Sequence, residues 1–148
     1  MVRVAILGVG DETIPHDVHG MRVLRALKRL AKDHDDIAFI ECGVVPENFS
    51  GLLRELSPEL VVIIDAVSPA SGDVQVPEGA QAVRVIDRDS VGGISFSTHA
   101  LPLTVFLDYI ETTMGAKTLL IGVTGPLGKG LDVHASAEKV LTLIAEHR

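Results

Sequence analysis

Three side chains that lie far apart in the sequence are the strongest candidates for chemistry: Asp17, Asp65 and His99. Asp65 ends an otherwise apolar run, where a rigid strand could hold a carboxylate for metal binding or acid–base work. Two carboxylates and one imidazole can coordinate a divalent first-row metal and leave positions open for a further ligand. These ligands are compatible with nickel or zinc, and they do not select between the two metals.

Each of the three residues also has a purely structural explanation. Asp65 could cap a turn, as aspartate often does. Asp17 precedes a predicted helix and could be its N-cap. His99 could be a loop residue or part of a helix start. For Asp17 and His99 taken alone the structural role is favoured, and only the three residues together indicate a metal site.

Two other motifs indicate competing chemistries. Gly8-Val9-Gly10 begins like a dinucleotide-binding fingerprint, but the third glycine would be due at Thr13. Glu41 could act as the ribose-binding acid of such a fold, yet without that glycine the nucleotide interpretation is weak. Cys42 could be a nucleophile near His99. A buried, small apolar thiol at the end of a strand is the favoured alternative.

The composition limits the classes of protein that this chain can represent. Its 148 residues suit a single domain spanning 1–148, and 47% hydrophobic with 3% aromatic residues predicts a core of aliphatic side chains. A net charge of -7 argues against a nucleic-acid partner. The single cysteine, Cys42, excludes an internal disulfide and a multi-cysteine zinc site. With no signal-peptide pattern or membrane-length apolar run, we expect a cytoplasmic protein.

Strand-like and helix-like segments alternate along the chain, which predicts a largely parallel sheet with helices on both faces. Residues 60–66 are the most apolar run and the best candidate for the central strand, whereas residues 82–86 suit an edge. Strands are predicted at 2–7, 37–42, 60–66, 82–86 and 118–123, and helices at 18–31, 46–56, 101–114 and 133–146.

In sheets of this kind the functional site lies at the carboxyl ends of the strands. This rule is the reason to group residues that are distant in sequence. The polar residues expected at this edge are Asp17, Glu41, Cys42, Asp65, His99 and Thr124.

The residues at these positions resemble those of the hydrogenase maturation endopeptidases, over about residues 2 to 145. Each motif is short, but their order and spacing together are fairly specific. The matching segments are Gly8-Val9-Gly10 followed by Asp17 and Gly20, Glu41-Cys42-Gly43, Val45-Pro46-Glu47-Asn48, Arg54-Glu55-Leu56 with the strand that ends at Asp65-Ala66, Ser97-Thr98-His99-Ala100-Leu101-Pro102-Leu103, and Leu120-Ile121-Gly122-Val123.

The resemblance implies a three-layer α/β/α sandwich with a five-stranded, mostly parallel twisted sheet. It implies that Asp17, Asp65 and His99 are both the catalytic residues and the metal ligands. The implied activity is removal of the C-terminal extension from a nickel–iron hydrogenase large-subunit precursor after nickel insertion. The precursor would carry the nickel, and another divalent metal such as zinc is possible. We expect a monomer that binds neither nucleic acid nor membrane.

The chain also departs from the family pattern near the first predicted ligand. His16 stands where an acidic residue is usual, Asp11 replaces an asparagine, and His19 replaces a small or apolar residue. The loop that begins at Thr124 is altered as well. His16 or His19 could add an imidazole to the site, although a solvated loop histidine is favoured. The alternative function is a non-catalytic, nickel-binding checkpoint or chaperone protein for hydrogenase assembly.

Overall fold

A computed structural model describes residues 1–13, 19–67, 82–87, 103–124 and 132–148. They form a five-stranded sheet and four α-helices. The strands are β1 (Val4–Val9), β2 (Ile37–Gly43), β3 (Leu60–Ala66), β4 (Ala82–Val85) and β5 (Lys117–Thr124). The helices are α1 (His19–Leu30), α2 (Ser50–Leu56), α3 (Leu103–Tyr109) and α4 (Val133–His147).

The strand order is β2-β1-β3-β5-β4, which places β3 at the centre and β4 at an edge, as predicted. All neighbouring pairs are parallel except β4 and β5, which are antiparallel. The chain moves from β1 outward to β2 and then returns to β3 on the other side of β1. The carboxyl ends of β1 and β3 therefore flank the point where the strand order reverses, the usual location of a site in such sheets.

Two apolar clusters cover the two faces of the sheet. Because side chains alternate along a strand, Ala5 and Leu7 of β1 enter one cluster, whereas Val4 and Ile6 enter the other. The first cluster includes side chains of α2 and α3, and the second includes side chains of α1 and α4. The predicted α/β/α fold class is thereby confirmed.

Several predicted boundaries shift in the structure. The predicted helix at 46–56 begins as a 3₁₀ turn, Pro46–Phe49, before α2. The helical segment that starts with α3 ends as a π-helical turn, Ile110–Met114, which Gly115 closes with a φ of 68°. The predicted loops at 68–79 and 87–98 lie outside the described residues, apart from Asp87.

Candidate active site

Asp65 lies at the carboxyl end of β3, one residue before the strand ends, and it is completely buried. In the strand register it is opposite Gly122 of β5. The alternation of β3 places its side chain on the face that Val61 and Ile63 share with α2 and α3. The Ala66 N–H donates a hydrogen bond of 2.8 Å to Asp65 Oδ1.

The first turn of α1 packs against the carboxyl ends of β1 and β3. Gly20 makes this possible, because a Cβ at that position would lie 2.5 Å from the Val9 carbonyl oxygen and 2.6 Å from that of Ile64. The same atom would lie 3.2 Å from the Asp65 Cα. The absence of a side chain at Gly20 therefore brings the start of α1 directly beside Asp65.

Two of the three predicted ligands, Asp17 and His99, lie outside the described residues, as does His16. Within the described ranges, no three His, Cys, Asp or Glu side chains come together as a metal site. Of the predicted set, the structure thus places Asp65 at the expected edge.

His19 differs from the expectation of a solvated loop histidine. It is the first residue of α1 and only 7% exposed. Val23 follows it by one helical turn and is itself fully buried, which indicates that both side chains lie on an inward-facing side of α1. The sequence favoured a solvated His19 because histidine is polar, although the residue lies one helical turn before the apolar Val23.

The end of β2 carries a buried thiol and an exposed carboxylate. Cys42 packs in the same apolar cluster as Val61 and Ile63. Burial, with a smaller contribution from the negative charge of Glu47, raises the pKa of the Cys42 thiol from 9.0 to about 12. A thiol with such a pKa stays protonated near neutral pH and is a poor nucleophile, so the favoured interpretation of a buried apolar thiol is confirmed.

Glu41 points away from Cys42 and pairs with Arg25 of α1. The Arg25 Nε donates to Glu41 Oε1 over 2.9 Å, and the Arg25 Nη2 also donates to Glu12 in the turn after β1. These hydrogen bonds, first to Glu41 and then to Glu12, raise the pKa of Arg25 further above its usual range. Glu41 thus pairs with Arg25, and the Thr13 N–H donates to the Asp11 side chain. Neither position therefore supports the nucleotide-binding interpretation.

Sequence reasoning placed Arg25 only on the polar side of α1 and missed its two partners. Glu12 and Glu41 lie 13 and 16 residues from it, so no helical spacing could signal the contact.

Thr124 is the last residue of β5 and is buried. Its hydroxyl donates to the Val67 carbonyl oxygen, and the Val67 N–H donates to the Val123 carbonyl over 2.9 Å. Thr124 therefore fastens the ends of β3 and β5 together beside Asp65, which is a structural role at the predicted edge.

Known proteins share this sequence pattern and this fold. A family profile described as hydrogenase maturation protease matches residues 21–138. A Methanocaldococcus jannaschii protein, provisionally named as a hydrogenase maturation protease, is 30% identical over 127 residues, covering 82% of this chain and 71% of that protein. The chain belongs to the hydrogenase maturation protease family. The hydrogenase 3 maturation protease of Escherichia coli K12 is a further relative, 29% identical over 80% of this chain and 70% of its own length.

Solved structures of hydrogenase maturation proteases have the same fold. The crystal structure of the [NiFe] hydrogenase maturation protease HycI from Thermococcus kodakarensis KOD1 matches with a TM-score of 0.70 and 30% identity. That match covers 98% of this chain and 91% of the other. Among the described residues, no helix is long and apolar enough to cross a bilayer.

Proposed function

We propose that this protein is a metal-dependent endopeptidase that removes the C-terminal extension of a nickel–iron hydrogenase large-subunit precursor after nickel insertion. Asp17, Asp65 and His99 would recognise the nickel that the precursor carries. Family membership supports the peptidase activity on a hydrogenase, and the position of Asp65 supports the use of this edge of the sheet.

The burial of Asp65 is the observation that carries the proposal. Among the described residues it is the only fully buried acidic side chain. Placing a carboxylate in an apolar strand costs free energy, and an aliphatic side chain would pack there more favourably. A buried carboxylate at the carboxyl end of a central strand, where α/β proteins place their sites, therefore supports a role in binding a ligand.

Covalent connections limit how far the other two proposed ligands can lie from described parts of the chain. Three peptide units join Asp17 to Gly20, and three units span at most about 11 Å. Four units, spanning at most about 15 Å, join His99 to Leu103 at the start of α3. Leu103 packs in the same cluster as Val67, on the face of the sheet to which Asp65 belongs. Gly20 is therefore next to the strand end that carries the carboxylate, and Leu103 belongs to the cluster on the same face of the sheet.

The proposed mechanism uses the three side chains mainly for positioning. Asp17, Asp65 and His99 would contact the nickel presented by the precursor and hold the scissile bond beside it. Holding reacting groups in place removes much of the entropic part of a barrier. A metal ion so placed can polarise the scissile carbonyl or lower the pKa of an attacking water.

The direct test is cleavage of the precursor. Nickel-loaded precursor should lose its C-terminal extension on incubation with the protein, and nickel-free precursor should not. Asp17→Asn and His99→Ala should abolish the cleavage, while exposed control variants Asp33→Asn and His34→Ala should leave it unchanged. Undiminished cleavage by Asp17→Asn or His99→Ala would remove the proposed mechanism.

The checkpoint or chaperone alternative makes a different prediction in the same experiment. Such a protein would bind nickel tightly on its own in calorimetry and would leave the precursor uncut. Tight nickel binding with no loss of the extension would favour this second function.

A further inference from the structure

A cavity of about 350 Å³ opens at the amino edge of the sheet, opposite the edge that carries Asp65. The starts of β1 and β3 line it with the buried side chains of Val4 and Leu60, and Gly115 lines it in front of β5. Small-molecule sites in proteins begin at about 300 Å³, so the cavity is large enough for a small ligand. No step of the proposed peptidase function uses this edge of the sheet.

The side chains around the cavity are mainly basic, although the protein as a whole is acidic. The chain has 13 Lys and Arg against 20 Asp and Glu, yet four of the eight lining residues are basic and one is acidic. The basic residues are Arg3, Lys117, His147 and Arg148, and the acidic one is Glu59. A concave surface with an excess of one charge concentrates ions of the opposite sign, so this cavity favours an anionic ligand.

Main-chain hydrogen bonds fix the positions from which Arg3 and Lys117 project. The Glu59 N–H donates to the Arg3 carbonyl over 2.8 Å, and the Lys117 N–H donates to the Glu59 carbonyl over 2.9 Å. Because neighbouring strands are about 4.8 Å apart, the main chains of Arg3 and Lys117 are separated by about 10 Å. Neither side chain forms an ion pair or hydrogen bond with a described residue, which leaves both cations available to a ligand with two anionic groups.

The end of α4 forms another side of the cavity. Lys117 is level with Leu60 in the strand register, and Leu60 packs in the cluster that includes side chains of α4, so Lys117 lies on the α4 face of the sheet. The His147 Nδ1 is 2.7 Å from the Leu143 carbonyl oxygen. Since a carbonyl oxygen only accepts, Nδ1 carries the hydrogen, and Nε2 is the ring nitrogen that remains for a ligand.

Arg148 is held beside the cavity by Asp36. The Arg148 Nη2 donates to Asp36 Oδ2 over 2.6 Å, and the Asp36 carbonyl accepts from the Arg3 N–H over 2.7 Å. The hydrogen bond from Arg148 is the largest cause that lowers the pKa of Asp36 below its usual range. Because Asp36 offsets the charge of Arg148, the unpaired cations Arg3 and Lys117 supply most of the attraction for an anion.

We propose that this cavity binds a small polyanion with two oxyanion groups, phosphates or carboxylates, which reach Arg3 and Lys117. Guanidinium and ammonium groups both form strong, charge-assisted hydrogen bonds with such oxygens. Glu59 precedes β3, between the two cations, and its negative charge limits the affinity. The proposal does not depend on the peptidase function, because it concerns the opposite edge of the sheet.

Isothermal titration calorimetry of the whole chain with pyrophosphate and with citrate tests the proposal. At least one probe should bind, and the tighter one shows whether the ligand is a phosphate or a carboxylate compound. Acetate at the same ionic strength should bind far more weakly, since it has a single oxyanion group. The affinity should fall as salt rises, because Arg3 and Lys117 are exposed. A Kd weaker than about 1 mM for both probes would overturn the proposal.

Single substitutions locate the bound anion. Arg3→Gln and Lys117→Gln should each weaken binding of the tighter probe by about tenfold, because each removes a charge-assisted hydrogen bond. Arg54→Gln removes an exposed arginine of α2 that does not line the cavity, and this matched control should leave the affinity unchanged. Equal weakening by all three variants would show that the probe responds only to net charge, which would refute a site at this cavity.

Glu59→Gln gives a result that misfolding cannot imitate. Removal of this negative charge should tighten binding of the same probe by about threefold or more, because repulsion between like charges is relieved. Glu55→Gln, which neutralises an exposed glutamate of α2, is its matched control and should have no effect. Unchanged or weaker binding by Glu59→Gln would contradict an anion held between Arg3 and Lys117.

Discussion

The ends of β3 and β2 both carry an acidic residue after an apolar run, yet the sheet gives the two residues opposite environments. Asp65 is enclosed at the end of the central strand, whereas Glu41 is exposed at the end of an edge strand. The start of α1 lies against the β3 end at Gly20, and Arg25, in the second turn of α1, pairs with Glu41 at the β2 end. The central strand thus encloses its carboxylate, whereas the edge strand leaves its carboxylate exposed and paired with Arg25.

The largest expected effect comes from Asp65→Asn. The amide can still accept from the Ala66 N–H but carries no charge, so we expect cleavage of nickel-loaded precursor to fall by at least about 100-fold. Rates measured at saturating and low precursor concentration would show whether kcat or KM changes. Asp33→Asn, an exposed neutralisation, serves as the control. Wild-type cleavage by Asp65→Asn would break the comparison, because the buried carboxylate would then be no more functional than Glu41.

Gly20→Ala tests how tightly α1 meets the β3 end. The new methyl group would press against two carbonyl oxygens, and relieving such overpacking costs about 1–3 kcal/mol. We expect Tm to fall by about 3–10 °C in thermal unfolding followed by circular dichroism. Gly51→Ala is the matched control, since a Cβ there meets no atom within 4 Å in helix α2 and should stabilise slightly. Equal Tm changes for both variants would contradict the close packing at Gly20.

The Cys42 thiol, unlike its exposed neighbour Glu41, should make the free energy of unfolding depend on pH in the alkaline range. Because its folded pKa is raised to about 12, the unfolded chain loses the thiol proton first as pH rises. The stability that the protonated thiol contributes is therefore complete below pH 9.0 and is lost between 9.0 and about 12. Relative to Cys42→Ala, the free energy of unfolding should fall by up to about 1.4 kcal/mol per pH unit in that window.

Urea unfolding of the wild type and Cys42→Ala at pH 8 and pH 10.5 measures this difference. Cleavage activity should survive the Cys42→Ala substitution, since a protonated, buried thiol has no part in the proposed mechanism. A pH-independent difference in stability would show that the thiol ionises normally. Loss of activity with normal folding would restore Cys42 as a candidate nucleophile.

Glu41→Gln should have the smallest effect on folding. Its ion pair with Arg25 is nearly half exposed, so we expect Tm to change by less than about 2 °C. Thermal unfolding at low and high salt provides the check, because a screened surface pair should matter even less as salt rises. A Tm loss as large as that of Gly20→Ala would mean that α1 is held equally firmly at both strand ends.

The central part of the site was predictable from sequence for a simple reason. The run 60–66 is continuously apolar up to Asp65, and such a run is typical of a strand buried on both faces. The parallel order then places its carboxyl end at the functional edge. The position of Asp65 was therefore predicted, as were the central β3 and the edge strand β4. The grouping with Asp17 and His99 remains a proposal.

Other features depend on partners that no local pattern specifies. His19 lies one helical turn before Val23, yet the sequence favoured a solvated residue because histidine is polar. Arg25 reads as one of several cations on the polar side of a helix, yet it alone meets Glu12 and Glu41 in the described structure. Glu41 was a candidate ribose ligand until this contact was known.

The sequence by itself determined where the strands and helices lie, the aliphatic core and the family, because periodicity and motif order are properties of neighbouring residues. Only the tertiary structure decided that Asp65 is buried and that Glu41 pairs with Arg25. It also decided that the start of α1 packs against the strand ends at Gly20. These outcomes depend on strand order and on contacts between segments more than ten residues apart. Such contacts depend on how whole helices and strands pack together, and a local sequence pattern does not specify that packing.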